Sequence, residues 1–190
     1  MDIPLTVFLA PVFTRTSFNV VASLAQKGYH LVFISDDEDL LELLSFEVEN
    51  LGGIPYPFFC SFGSEKQFKS TLRMVEKVID HVSTVILFSE ENLSHSRATI
   101  STQEIADVLL KTDWISKGIG NELFLVDLGG YQDQWTEGIE NSMEQLTVIQ
   151  STDHGDRHNF EKYVVEQVEK SINNEKKRRF VALLGRFRFW

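Results

Sequence analysis

The chain has 190 residues, 43% of them hydrophobic and 24% charged, and carries a formal net charge of −10. These values suit one globular domain over residues 1–190 with a substantial core, and the negative charge argues against a nucleic-acid-binding surface, which needs cations. No apolar run approaches the roughly 18 residues that span a bilayer, no basic stretch precedes the first apolar segment as in a secretory signal, and a single cysteine, Cys60, fits a reducing cytoplasm.

Leu5–Ala10 is a continuous apolar run and predicts a strand buried on both faces. A helix over Ser17–Lys27 follows, with Phe18, Val21, Ala22, Leu24 and Ala25 as its apolar stripe and Gly28 as its stop. Tyr29–Ile34 reads as a second strand. Ser35 and Asp36 are candidate caps for a helix from about Asp37 to Asn50, which Gly52-Gly53 ends. Ile54–Cys60 reads as a third strand, and Pro55 and Pro57 confine it to a sheet edge. Ser64 opens a helix that carries Phe68, Leu72, Val75, Val78 and Ile79, and Thr84–Phe88 is a fourth buried strand.

Beyond a polar loop at Ser89–Thr99, Ser101 and Glu104 have capping-box spacing for a helix to about Ile115. Leu123–Leu128 is a fifth strand, 134–149 has a weak helical period, Ser151–His158 reads as loop, Asn159–Ile172 as helix and Phe180–Leu184 as a sixth strand. Strands alternating with helices at this spacing predict an α/β fold, a doubly wound parallel sheet in three α/β/α layers with strand order 3-2-1-4-5-6.

Residues 5–93 resemble the short-chain dehydrogenase/reductase family. The stretches LAQKGYHLVFISDDEDLLELLSFEVENLGG, CSFGSEKQF and MVEKVIDHVSTVILF follow that family's first four strands in segment length and apolar pattern. The resemblance implies a Rossmann-like fold with a dinucleotide at the turn after the first strand. That turn, Thr-Gly-x-x-x-Gly-x-Gly in the family, falls here on Ala10-Pro11-Val12-Phe13-Thr14-Arg15-Thr16-Ser17. Pro11, Arg15 and Ser17 replace the glycines that let the backbone approach a pyrophosphate, and Pro11 has no N–H to offer one. Phe13 and Arg15 are expected to narrow the crevice above strands 1 and 4.

The other family positions depart in the same direction. The adenosine-reading position after strand 2 is Ser35, with Asp36 beside it, and the acid after strand 3 is Ser61. The Asn-Asn-Ala-Gly run after strand 4 reads Phe88-Ser89-Glu90-Glu91, and Gly129 and Gly130 stand where a serine is expected after strand 5. Counting back from Phe180, the family's Tyr-x-x-x-Lys pair falls on His158 and Lys162, while Tyr131 has Trp135 four residues on instead of a lysine.

His154, Asp156 and His158 are spaced like metal ligands but lack a further ligand set, so no metal is expected. No phosphate loop or nucleophile elbow is present in the sequence. Lys176, Lys177, Arg178, Arg179, Arg186 and Arg188 form a basic cluster. It reads as cations at a helix C-terminus, ahead of an aromatic tail that packs on its own domain or on a partner.

The leading reading is a degenerate, cytoplasmic pseudoenzyme of this family. It would bind no cofactor and act as a regulatory or scaffolding subunit, a homodimer or the companion of another protein, since the resemblance implies self-association. The alternative is an NAD(P)-dependent oxidoreductase with an atypical site. It would use Lys162 with His158 or Tyr131 and hold the cofactor around Thr14, Arg15, Ser17 and Asp36. A third reading makes Arg15 the anchor of a non-redox anion or nucleotide.

Overall fold

The computed structural model describes residues 6–12, 14–79, 82–89, 102–110, 122–127, 146–150 and 157–186. Six parallel strands form one sheet: β1 (Thr6–Ala10), β2 (His30–Ser35), β3 (Ile54–Phe59), β4 (Thr84–Ser89), β5 (Glu122–Asp127) and β6 (Leu146–Gln150). Their order is β3-β2-β1-β4-β5-β6, as the alternation of elements predicts. Helices α1 (Arg15–Ala25), α2 (Glu38–Asn50), α3 (Glu65–Val78) and α4 (Thr102–Leu110) make the crossovers that the structure describes, and α5 (Arg157–Arg186) follows β6.

The period of two along β1 divides the core. Val7 and Leu9 face one layer, where they join Val21 and Leu24 of α1, Leu44 of α2 and Val164 of α5. Phe8 and Ala10 face the other, with Phe68 and Leu72 of α3 and Ile105 of α4. Every residue of β1 is buried, which explains its unbroken apolar run. Burying a phenylalanine such as Phe33 or Phe68, both fully enclosed, contributes about 1.5–3 kcal/mol.

Local signals set the element ends. α1 starts two residues before the apolar stripe suggests, because Thr14 is its N-cap and closes a capping box with Ser17. The cap of α2 is Asp37, whose Oδ1 accepts the Leu40 N–H at 3.0 Å, rather than Ser35 or Asp36. β2 extends through Ser35, which displaces the turn, and the Ser35 hydroxyl instead accepts the Asp37 N–H at 3.3 Å. α2 ends in a Schellman motif: the Gly52 N–H donates to the Glu49 carbonyl and the Gly53 N–H to the Val48 carbonyl. Gly52 takes the positive φ of +92° that this motif requires.

β3 lies at the sheet edge, as Pro55 and Pro57 require. The Ile54 N–H donates to Tyr29 O and the Cys60 N–H to Ser35 O. Alternation therefore turns the amide positions of residues 55, 57 and 59 toward the open edge. Two of those three are prolines, so this edge presents few donors to a further strand. Cys60, directly after β3, is buried.

The C-terminal third corrects two expectations. The sixth strand is Leu146–Gln150, not Phe180–Leu184, and the helical period read over 134–149 gives way to β structure from residue 146. Thr147, Val148 and Ile149 are β-branched and pair with β5 in register from Leu123↔Leu146 to Asp127↔Gln150. Phe180–Leu184 belongs instead to α5, a helix of 30 residues. A five-residue apolar run does not distinguish strand from buried helix, and neither glycine nor proline interrupts the chain from Asn159 to Leu184. The same helix begins at Arg157 and so takes in Arg157 and His158, read above as loop. Among the described residues no helix is long and apolar enough to cross a membrane.

Candidate functional site

In a doubly wound sheet the ligand crevice lies beyond the carboxyl ends of the strands, where the strand order reverses. Here that point lies between β1 and β4, which pair from Val7↔Thr84 to Ala10↔Leu87. The turn from β1 into α1 forms one wall. Its chain leaves β1 through a cis Ala10–Pro11 peptide. Val12, two residues on, is fully buried and belongs to the core cluster with Val7, Leu9 and Val20. The Val12 N–H donates to the Ile34 carbonyl at 2.9 Å, which carries the pairing with the β2 side past the end of β1.

The Thr14 and Ser17 donors are also engaged. The Thr14 N–H donates to Ser17 Oγ at 3.0 Å. The Ser17 N–H donates to Thr14 Oγ1 at 3.3 Å, and the Ser17 hydroxyl donates to the Thr14 carbonyl at 2.9 Å. Ser17 is fully enclosed and Thr16 nearly so. A helix N-terminus binds anions through its unpaired N–H groups; here Thr14 and Ser17 satisfy each other's. Arg15, the first residue of α1, is exposed, and Phe13 lies outside the described residues.

The remaining candidates separate. Asp36 is half-buried directly after β2. Lys162 is exposed on α5, and His158 lies one turn earlier on the same helix. Both follow β6, so the count that singled them out has lost its strand. Tyr131, His154 and Asp156 lie outside the described residues, and no metal-ligand cluster occurs among the described ones. Ser89, Asp127 and Gln150 end β4, β5 and β6 as register partners, a polar row across the carboxyl edge. The sequence hides that row, because it becomes visible only once β6 is placed.

The polar contact that ties α5 to α1 had no signal in the sequence. Asn19 Nδ2 donates to both carboxylate oxygens of Glu161, at 3.0 and 3.1 Å, across 142 residues. Glu161 is buried, and the Asn19 amide gives each of its carboxylate oxygens a donor. Just past the end of α1, Lys27 pairs with Glu169 of α5 at 3.0 Å. Burial, and then the negative charge of Glu169, raise the Tyr29 phenol above its ordinary value of 10.0. These contacts fix the α1–α5 seam and leave the crevice to the turn itself.

The fold has counterparts in solved structures. A short-chain type dehydrogenase/reductase from Mycobacterium marinum superposes with a TM-score of 0.53 at 12% identity, over 66% of this chain and 56% of that one. The fold is that of the short-chain dehydrogenases/reductases. The NADH-dependent reductase A1-R', responsible for alginate metabolism, matches with a TM-score of 0.58 at 10% identity, over 77% of this chain and 76% of its own. NAD+-bound xylitol dehydrogenase matches at 0.51 and 10% identity, over 66% and 52%. The chain thus spans little more than half the length of two of these three short-chain dehydrogenase-like structures. No protein-family model matches the sequence, and no curated protein matches it.

Proposed function

We propose that this protein is a short-chain dehydrogenase-like subunit that does not hold a dinucleotide in the family's manner and acts through association with other protein. The carrying observation is the internal use of three donors at the β1–α1 turn, the N–H groups of Val12, Thr14 and Ser17. Pro11 has no N–H, the Val12 N–H is spent on Ile34, and Thr14 and Ser17 are paired in a capping box. A pyrophosphate at this turn would have to displace those bonds and the side chains of Pro11 and Ser17, where the fold's usual ligand relies on glycine. The residues present do not fit the group, and no catalytic step is routed through it.

The position of β6 supports the same reading. The family's Tyr-x-x-x-Lys precedes the sixth strand, so with β6 at Leu146–Gln150 it belongs in residues 128–145, where the sequence contains no lysine. Soluble, cytoplasmic action fits the sequence and remains part of the proposal.

The alternative is an NAD(P)-dependent oxidoreductase with an altered site. It draws on the NADH-dependent reductase and the NAD+-bound xylitol dehydrogenase among the structural neighbours. Titration of the protein with NADH and NADPH, followed by calorimetry and by nucleotide fluorescence, separates the two. No saturable binding through the micromolar range is expected. Micromolar binding that competes with adenosine diphosphate would overturn the proposal in favour of the alternative.

A further inference from the structure

The large exposed hydrophobic side chains among the described residues all lie on three consecutive elements around the edge strand β3. They are Leu43 and Phe46 on α2, Ile54 and Phe59 on β3, and Met74 and Val78 on α3. Phe46, at 64% exposure, and Leu43, at 55%, stand three residues apart on α2 and so share one face. The rest of that helix surface is acidic. Glu38, Asp39, Glu42, Glu47 and Glu49 accompany them, without a single lysine or arginine. No ion pair among the described residues involves α2. An apolar pair inside an acidic rim selects a partner that is apolar and basic.

This chain contains a segment of that chemistry. Residues 176–190 read KKRRFVALLGRFRFW, with six basic residues, no acid, three phenylalanines and a tryptophan, in a chain of net charge −10. The backbone is helical through Arg186, which places Phe180 and Leu184 one turn apart on one face. Ile172 is the last core residue among the α5 side chains that the structure describes, which reach residue 173. The helix continues 14 residues beyond Ile172, about 21 Å of further axis.

We propose that the acidic-rimmed apolar face of α2 binds the basic, aromatic C-terminal segment, residues 176–190, of a second copy of this chain. The chain's own segment is poorly placed for the role. α1 packs against α2 on one side and α5 on the other, and α5 runs beside β4 and β5 while α2 covers β2 and β3. The helical part of the segment would have to pass over α1 to reach α2 in its own chain. Reciprocal exchange between two copies makes both contacts at once and closes a two-fold dimer. Addition as a strand is disfavoured, since Pro55 and Pro57 remove outward donors from the β3 edge.

This names the partner for the association in the proposed function. Its test reads only oligomeric state, so a monomer that fails to bind NADH sinks this inference alone. Sedimentation velocity and light scattering on the full chain are expected to show a micromolar dimer that dissociates as salt rises. The double variant Leu43→Glu/Phe46→Glu should be monomeric with unchanged circular dichroism. Glu42→Lys/Glu49→Lys and Arg178→Glu/Arg179→Glu should each weaken the dimer by about tenfold or more, and their combination should restore it. A wild-type monomer across the micromolar range, a dimer indifferent to Leu43→Glu/Phe46→Glu, or charge pairs that add instead of rescuing would each overturn the proposal.

Discussion

Replacing Ser17 with alanine deletes the hydroxyl at the centre of the β1–α1 turn. That hydroxyl accepts the Thr14 N–H at 3.0 Å and donates to the Thr14 carbonyl at 2.9 Å, in a fully enclosed position. Each net hydrogen bond contributes about 0.5–1.5 kcal/mol, and the Thr14 N–H, left unpaired at a half-buried residue, adds part of a desolvation cost. The Ser17 N–H to Thr14 Oγ1 bond at 3.3 Å survives the change and limits the loss. Ser17→Ala should therefore cost about 2 kcal/mol, a fall in Tm of about 4–8 °C for a domain of this size. Thr14→Ala should cost about 1 kcal/mol as a lost N-cap.

The double variant should cost less than the two singles together, because the hydroxyls serve each other. Urea unfolding with a constant m-value is the assay. If Ser17→Ala unfolds within about 0.3 kcal/mol of wild type, the capping box does not hold the turn. The argument that its donors are committed internally then fails with it.

Two further changes test the fold around the same helices. A Cβ at Gly53 would lie 3.0 Å from Ala25 Cα, 3.0 Å from Val48 Cγ1 and 3.1 Å from Tyr29 O, and two of those three atoms are backbone. Gly53→Ala should destabilise by about 1–2 kcal/mol after the smaller gain from a stiffer unfolded chain; equal or greater stability in thermal melts would show that α1 and α2 yield at this contact. Pro55→Val/Pro57→Val restores two outward donors on β3 and should leave the monomer's circular dichroism intact while promoting salt-insensitive higher association; unchanged sedimentation would show that the prolines do not guard the edge.

The sequence by itself determined the first four strands, their crossover helices and the edge position of β3. Those segments carry a local signal at each boundary: an apolar run for a strand buried on both faces, a cap such as Ser64, a stop such as Gly28 or Gly52, and a pair of prolines that a central strand does not tolerate. The same reading located the β1–α1 turn and its missing glycines, since it required only a count from Gly28. Where three residues compete for one cap, as Ser35, Asp36 and Asp37 do, the choice fell to the length of β2, which its pairing with β1 and β3 sets.

Only the tertiary structure decided the C-terminal third and the state of the turn. Residues 146–150 and 180–184 are both short segments rich in apolar and β-forming residues, and what separates them is the open edge of β5, which one run pairs with and the other does not. The Asn19–Glu161 contact joins positions 142 residues apart, and the internal commitment of the Val12, Thr14 and Ser17 N–H groups depends on where Ile34 and the α1 axis lie. Sequence period carries no information about which partner satisfies a backbone donor, because that is settled when the elements pack.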